Sequence, residues 1–428
     1  MKASDRLRFM FHAKLRSLLA HERVTCMLVL IAYIVGALFV AHAGKTTAAM
    51  AEEAEMLPPV IYRAMHHLFV TYMFAAGGLA AWLRTKPLTR RLVAISLESI
   101  GFTNRANIAP ALRRKRVDKD NPNITVWTFE TNGIPLKAWD DRRAELETAL
   151  GVIIVQAKYE RGNQRVVLYT VPAESDLPDY LPWKDEYLSD KSFVLMLGKG
   201  YAGPVSVNLA DIPHILLGGS TGSGKTILMK VMIRQAVQKG AEVAIVDFKG
   251  GVDFPPFWRD QLRLCYDDKT VLALLDDYIA AIESRKTLLF KSGQSNIDEY
   301  NLANNAHLPR YILACDEIAE MLDKTGMPKE RKEQIGQIES RLSVIARQGR
   351  AFGVHLILAT QRPDANVLSG QIRNNISCRI CGRADNVLSQ IILDSTSAAD
   401  RIPKEAKGRF LLHDGTEFQG FWLDEGTL

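Results

Sequence analysis

The residues with the clearest chemical meaning are Gly219, Ser220, Thr221, Gly222, Ser223, Gly224, Lys225 and Thr226. They follow GxxxxGK[ST], the spacing of a loop that wraps backbone N–H groups around phosphates. Glycine permits the tight turns that such close approach demands. In this pattern Lys225 would hold the β- and γ-phosphates of ATP, and Thr226 would ligate Mg²⁺. A second signal is Tyr311-Ile312-Leu313-Ala314-Cys315-Asp316-Glu317. An apolar strand ending in two carboxylates suits a site where Asp316 holds the metal and Glu317 orients and deprotonates water. A glutamate beside the metal carboxylate fits hydrolysis of ATP better than transfer to a bound acceptor. A third apolar run, 355–359, ends in Thr360-Gln361-Arg362-Pro363. Gln361 at that tip is a candidate sensor of the γ-phosphate. A strand-end turn fixed by Pro363 is the plainer alternative.

These residues need elements to position them. Apolar runs at 214–217, 242–247, 311–315, 355–359 and 376–380 are predicted strands. Helical patterns at 226–238, 269–286 and 331–347 alternate with them. That alternation predicts an α/β fold: a mostly parallel sheet with helices on both faces. The phosphate-loop pattern falls between a predicted strand and a predicted helix, the context it needs. The stretch 409–423 reads as a hairpin turning at Asp414-Gly415.

Upstream, 84–191 reads as a small α/β unit. Strands are expected at 125–130, 152–155 and 165–171, with a turn at 161–163. A helix at 140–150 is stopped by Gly151. No chemical constellation stands out there, so a spacer or assembly role is expected. The proline-rich stretch 172–184 reads as the link to the next domain.

The chain has 428 residues, 47% of them hydrophobic, and a formal charge of +6. That charge is unevenly placed. Residues 1–120 hold 18 basic and 8 acidic side chains, whereas 199–425 hold 28 of each. A membrane explains the N-terminal excess better than nucleic acid does. Five cysteines, an odd number in apolar runs, fit a reducing compartment. Cys378 and Cys381 form a lone CxxC, read as small residues in a buried strand rather than a metal or redox pair.

Residues 24–44 carry no charged side chain and are long enough to span a bilayer as a helix. A second candidate span, 65–83, is interrupted by Gly77 and Gly78. Basic residues precede the first and follow the second, while Glu52, Glu53 and Glu55 lie between. The expectation is a retained two-span anchor in the cell membrane with both termini cytoplasmic. The domain reading is therefore 1–23, a basic cytoplasmic N-terminus; 24–83, a transmembrane hairpin; 84–191, a membrane-proximal α/β domain; and 192–428, the motor.

From about 195 to 424 the chain resembles the FtsK/SpoIIIE family of DNA translocases, in the HerA/FtsK superfamily. The resemblance rests on 204–209 and 212–214 leading into the phosphate loop, and on Glu283-Ser284-Arg285 with 296–301. It continues through 346–355 into Leu358-Ala359-Thr360-Gln361-Arg362-Pro363, and then through 370–380 and 391–394. It implies a RecA-like motor domain that assembles as a homo-hexamer and uses ATP to pull double-stranded DNA through its pore. It also implies an arginine supplied by the neighbouring subunit. Arg379 and Arg383 are candidates by position, followed by Arg347 and Arg350. Several features depart from chromosome-segregating members: two spans rather than four, no long linker, and an end at Leu428 without a winged-helix module. Asp247-Phe248-Lys249-Gly250-Gly251 also stands where those members carry Asp-Pro-Lys. This architecture looks more like the TcpA-like coupling proteins of Gram-positive conjugative elements. The expected partners are then DNA, a relaxase and proteins of the transfer channel. The alternatives are a chromosome-partitioning pump, an EssC-type protein-secretion ATPase and a membrane-tethered regulatory NTPase.

Overall fold

The computed structural model describes residues 34–36, 38, 42, 59–84, 89–361 and 369–427. It forms two compact units, one holding most of the chain before residue 167 and the other all of Leu168–Leu428. The first predicted span, 24–44, lies largely outside the described residues. The second falls within helix α1 (Pro59–Arg84), but no helix among the described residues is long and apolar enough to cross a membrane. Arg63, His66, His67 and Tyr72 interrupt its apolar character.

After α2 (Thr89–Ser99) come strands β1 (Ala111–Val117) and β2 (Thr125–Glu130). Helices α3 (Leu136–Asp141) and α4 (Arg143–Leu150) follow, then β3 (Val152–Glu160) and β4 (Arg165–Pro172). The strands form a sheet in the order β1-β2-β4-β3. The single helix expected at 140–150 is two helices that meet at Arg142, whose φ of −111° and ψ of 24° are not helical. Gly151 ends the second helix in the left-handed conformation, as its sequence position suggested. Trp139 is fully buried against Phe102 and Phe129, with ring centroids 4.9 and 5.1 Å away.

The second unit is built on a ten-stranded sheet. In chain order its elements are β5 (Val194–Gly200), β6 (Gly203–Asn208), β7 (His214–Gly218), α5 (Lys225–Gln238), β8 (Glu242–Val246), α6 (Pro256–Gln261), β9 (Arg263–Cys265) and α7 (Asp268–Ser292). They continue with α8 (Ile297–Asn304), β10 (Tyr311–Cys315), α9 (Ile318–Leu322), α10 (Lys329–Gln348) and β11 (Val354–Thr360). Then follow α11 (Gly370–Asn374), β12 (Cys378–Cys381), α12 (Asn386–Leu393), α13 (Ser397–Arg401), β13 (Arg409–Leu412) and β14 (Glu417–Gly420). The sheet order is β6-β5-β14-β13-β12-β7-β11-β10-β8-β9. From β12 to β9 every pairing is parallel; from β12 outward to β6 every pairing is antiparallel.

The parallel strands are buried on both faces, which is why they read as continuous apolar runs. Leu313 and Cys315 of β10 point into one core with Leu274, Leu275, Ile338 and Leu342 from α7 and α10. Ile312 and Ala314 point into the other, with Leu228, Met229 and Met232 from α5. Fully burying one such aliphatic side chain stabilises the fold by roughly 1.5–3 kcal/mol. The last predicted strand starts two residues later than expected. Ile376 is buried in the turn after α11, and pairing begins at Cys378. Cys378 and Cys381 lie buried in β12, and burial pushes both thiols up to about 12.

The amino ends of the central strands are pinned by buried polar side chains. His214 Nδ1 accepts from the Leu356 N–H at 3.1 Å. His355 Nδ1 donates to the Pro213 carbonyl at 2.9 Å, so its Nε2 accepts from Arg310 at 2.9 Å. Arg310, fully buried, also pairs with Asp298 at 2.5 Å and lies over the Phe193 ring. Arg285, from the Glu283-Ser284-Arg285 motif, donates to the carbonyls of Phe352 and Pro309. Asn296 caps α8, and Asn301 exchanges two hydrogen bonds with Leu308. These motif residues hold loops in place.

Candidate nucleotide site

The parallel register brings the chemical tips together. Cys315 pairs with Leu358 and Thr360 pairs with Gly218, so Asp316, Gln361 and Gly219 emerge along one edge of the sheet. This is the carboxyl edge, where open α/β sheets bind ligands. The loop from Gly219 turns into α5 at Gly224, whose φ is +95°. A Cβ there would stand 3.0 Å from the Gly408 Cα, so glycine answers both the backbone conformation and the contact. The α5 N-terminus adds N–H groups and partial positive charge to a phosphate-sized opening.

Lys225 is 3% exposed and its Nζ lies 2.9 Å from Asp316 Oδ1 and 2.6 Å from the Asp316 carbonyl. Thr226 Oγ1 donates to the same Asp316 oxygen at 2.9 Å. A buried ion pair of this kind is costly to desolvate and contributes little net stability, so its retention points to use. Glu317 is held from the tip of β11 and from its own helix α9. Thr360 Oγ1 donates to its Oε1 at 2.8 Å, the Gln361 N–H to its Oε2 at 3.0 Å, and it caps α9 through Ala319 N at 3.4 Å. A carboxylate has about four acceptor positions, so these three leave room for a water.

Gln361 Oε1 accepts from Thr221 Oγ1 at 2.8 Å, which ties the tip of β11 to the phosphate loop. Arg383 lies against its own chain's phosphate loop. It donates to the Thr221 carbonyl at 2.6 Å and to the Lys404 carbonyl at 2.6 Å. Arg379 is committed to Asp394 and to the carbonyls of Ile376 and Arg373. Arg347 donates to the Ser343 carbonyl, and Arg350 to that of Ala210.

Lys249 was singled out in the sequence only as part of a family motif, yet it belongs to the site. Its Nζ stands 4.0 Å from Asp316 Oδ2 and 3.7 Å from Asp253. Partial burial opposes its charge, but Asp316, Asp253, Glu320 and Asp247 outweigh that and raise its pKa. Asp247 accepts from the Lys249 N–H at 2.9 Å, and its second oxygen is buried without a hydrogen-bond partner. The signal available in the sequence was the place of Lys249 just past β8, the strand beside β10.

These groups open into a cavity of about 850 Å³, within the usual range for small-molecule sites. Its lining includes Ser220–Thr226, Lys249, Asp316 and Gln361. Tyr180, Leu181, Gly408, Phe410 and Trp422 line it as well. These last residues were not legible in the sequence, because they come from segments far from the phosphate loop in the chain.

The family model for the central domain of the helicase HerA matches residues 195–352. DNA translocase FtsK of Helicobacter pylori (strain J99) is 29% identical over 225 residues, 49% of this chain and 25% of that one. DNA translocase SftA of Bacillus subtilis is 30% identical over 222 residues, 49% of this chain and 22% of that one. The matched region thus spans about a quarter of these curated relatives. A solved structure of the pCW3 conjugation coupling protein TcpA, a monomer form with ATPγS, is 34% identical. It aligns over 79% of this chain and 96% of that one, with a TM-score of 0.58. The phosphate loop, the two carboxylates at the tip of β10 and these similarities agree: the chain belongs to the HerA/FtsK-type family of P-loop ATPases.

Proposed function

We propose that the protein is a membrane-anchored ATPase that moves DNA and serves as the coupling protein of a conjugative transfer channel. The observation behind this reading is the joint one: Lys225, Thr226 and Asp316 border one cavity, with Glu317 next to Asp316 at the same strand tip, in a chain similar along most of its length to TcpA. ATPγS is present in that neighbour, and ATP is the ligand proposed here.

Thr226 and Asp316 supply a hydroxyl and a carboxylate, hard oxygen donors that suit Mg²⁺. When bound, the ion would neutralise phosphate charge. The chain's own residues account for the rest. A triphosphate draws Lys225 from its pairing with Asp316, because the ammonium is within reach of the loop that cradles it. Glu317, fixed by Thr360 and the Gln361 backbone, accepts a proton from the attacking water. The water oxygen bonds to the γ-phosphorus as the bond to the β–γ bridging oxygen breaks, releasing ADP and phosphate. Gln361, bonded to Thr221, carries the state of the loop to the tip of β11. Subunits assemble as a ring, proposed as a homo-hexamer. Arg347 and Arg350, nearer the surface than Arg379, are then the candidates for a neighbour's site. A relaxase and channel proteins are the further partners, and the anchor is the two-span segment read from the sequence.

The test is ATP hydrolysis by the full-length chain with duplex DNA, single-stranded DNA and none. Stimulation by DNA supports the reading. An ATPase indifferent to DNA, or one stimulated by a secreted protein instead, overturns it.

A further inference from the structure

Tyr180 and Trp422 are large aromatics that remain exposed, 61% and 46%, among the residues that line the cavity. Exposed aromatics cost hydration free energy, and two converging on one ligand-sized cavity indicate a flat apolar guest. Their ring centroids are 6.3 Å apart and tilted by 48°, so neither ring covers the face of the other. A wedge of this kind leaves a face of each ring open to a third ring.

The wedge is held firmly from behind. Trp422 N donates to the Leu181 carbonyl at 2.7 Å, and Trp183 N to the Trp422 carbonyl at 2.7 Å. The neighbouring Phe421 is buried and packs against both Trp183 and Tyr187, with centroids 5.1 Å from each. Gln419 donates to the Asp179 carbonyl at 3.3 Å, and Arg409 to that of Leu177 at 3.3 Å. The segment 177–183 and the end of β14 therefore position the two rings as one piece.

We propose that Tyr180 and Trp422 form the base-binding wall of the nucleotide site and stack on the purine ring. The segment ahead of the motor strands is thus part of that site. This rests on the ATP reading above and goes beyond it. The loop residues grip the phosphates; the base is gripped by 177–183 and the tail after β14.

The test compares binding of ATP with that of inorganic tripolyphosphate, each with Mg²⁺, to the full-length chain. Trp422→Ala and Tyr180→Ala should each weaken ATP binding about tenfold, within the range seen when a base loses its stacking partner. Affinity for tripolyphosphate should stay within about twofold, and Trp422→Phe should keep most of the ATP affinity, since a stacking face remains. Equal losses for ATP and tripolyphosphate would mean the rings only support the fold, and overturn the proposal. So would unchanged ATP affinity in both alanine variants, with the ATP reading left standing. A wild-type chain that binds tripolyphosphate as tightly as ATP removes the base wall alone; one that binds neither removes both readings.

Discussion

The two ends of the same central strands carry buried polar networks of opposite character. At the amino end, His214, His355, Arg310 and Arg285 spend their hydrogen bonds on backbone carbonyls, a backbone N–H, Asp298 and the Arg310–His355 contact. None of them is among the residues that line the cavity at the other end. At the carboxyl end, Lys225, Thr226, Asp316, Glu317 and Thr360 bond mainly to one another's side chains, and Lys225, Thr226 and Asp316 border a cavity. Burial and charge are common to both ends, so neither identifies a site. What differs is whether the partners can be exchanged for a ligand. A guanidinium locked on carbonyls has one arrangement; an ammonium shared with a carboxylate beside an opening has two.

The comparison breaks most readily at Glu317. Glu317→Gln keeps the shape but loses the proposed base, so ATP turnover should fall about 10²–10⁴-fold while the chain still folds. An active Gln variant would move the catalytic role elsewhere.

The amino end should show itself in stability against pH. Burial pushes the His214 imidazole down to about 4 and that of His355 well below its ordinary value. The unfolded chain therefore binds more protons than the folded one between pH 6.5 and 4. The stability contribution is whole above pH 6.5 and is lost as pH falls through that window, by about 3 kcal/mol for His214 alone. Denaturant midpoints between pH 7 and 4 should fall in the wild type. They should fall less in His214→Asn, whose side-chain oxygen can still accept from Leu356. Equal slopes would remove His214 from the account.

Arg310→Met separates the ends by a different route. It should cost roughly 2–4 kcal/mol of stability, less than a fully enclosed pair because Asp298 is part-exposed. Turnover per folded molecule should be unchanged. A loss of turnover without loss of stability would show that the amino end is not merely structural.

The smallest effect sharpens the carboxyl end. Thr360→Val removes one hydrogen bond to Glu317 at nearly constant volume, worth about 1 kcal/mol, or a fewfold drop in turnover. Thr360→Ser should restore it. If valine and serine behave alike, the Gln361 N–H suffices to place the carboxylate.

Much of the carboxyl end was legible because its chemistry sits at the tips of continuous apolar runs. β7, β10 and β11 begin and end within a residue or so of their sequence readings. The hairpin turn at Asp414-Gly415 likewise falls between β13 and β14. The antiparallel wing was less legible. Gly198-Lys199-Gly200 interrupts the apolar alternation of β5, and the reason lies in a distant partner. A Cβ on Gly198 would fall 2.0 Å from the Gln419 carbonyl oxygen of β14. β1 was missed because Ala-Leu-Arg-Arg-Lys-Arg-Val buries only Leu112 and reads as a solvated basic run. The role of Thr360 needed the register of β11 against β10 and β7, which periodicity does not supply. The positions of Arg379 and Arg383 needed the chain's own folded carbonyls, which no spacing reveals.

The stitching of 177–183 to the strand that ends the sheet has a practical consequence for anyone cutting this chain. A fragment begun near 192, where composition suggests a fresh start, would strip Phe421 of the indole and phenol that cover it and leave the Trp422 amide without its acceptor. Such a fragment should be less soluble than one begun near 173, for reasons unrelated to its catalytic parts.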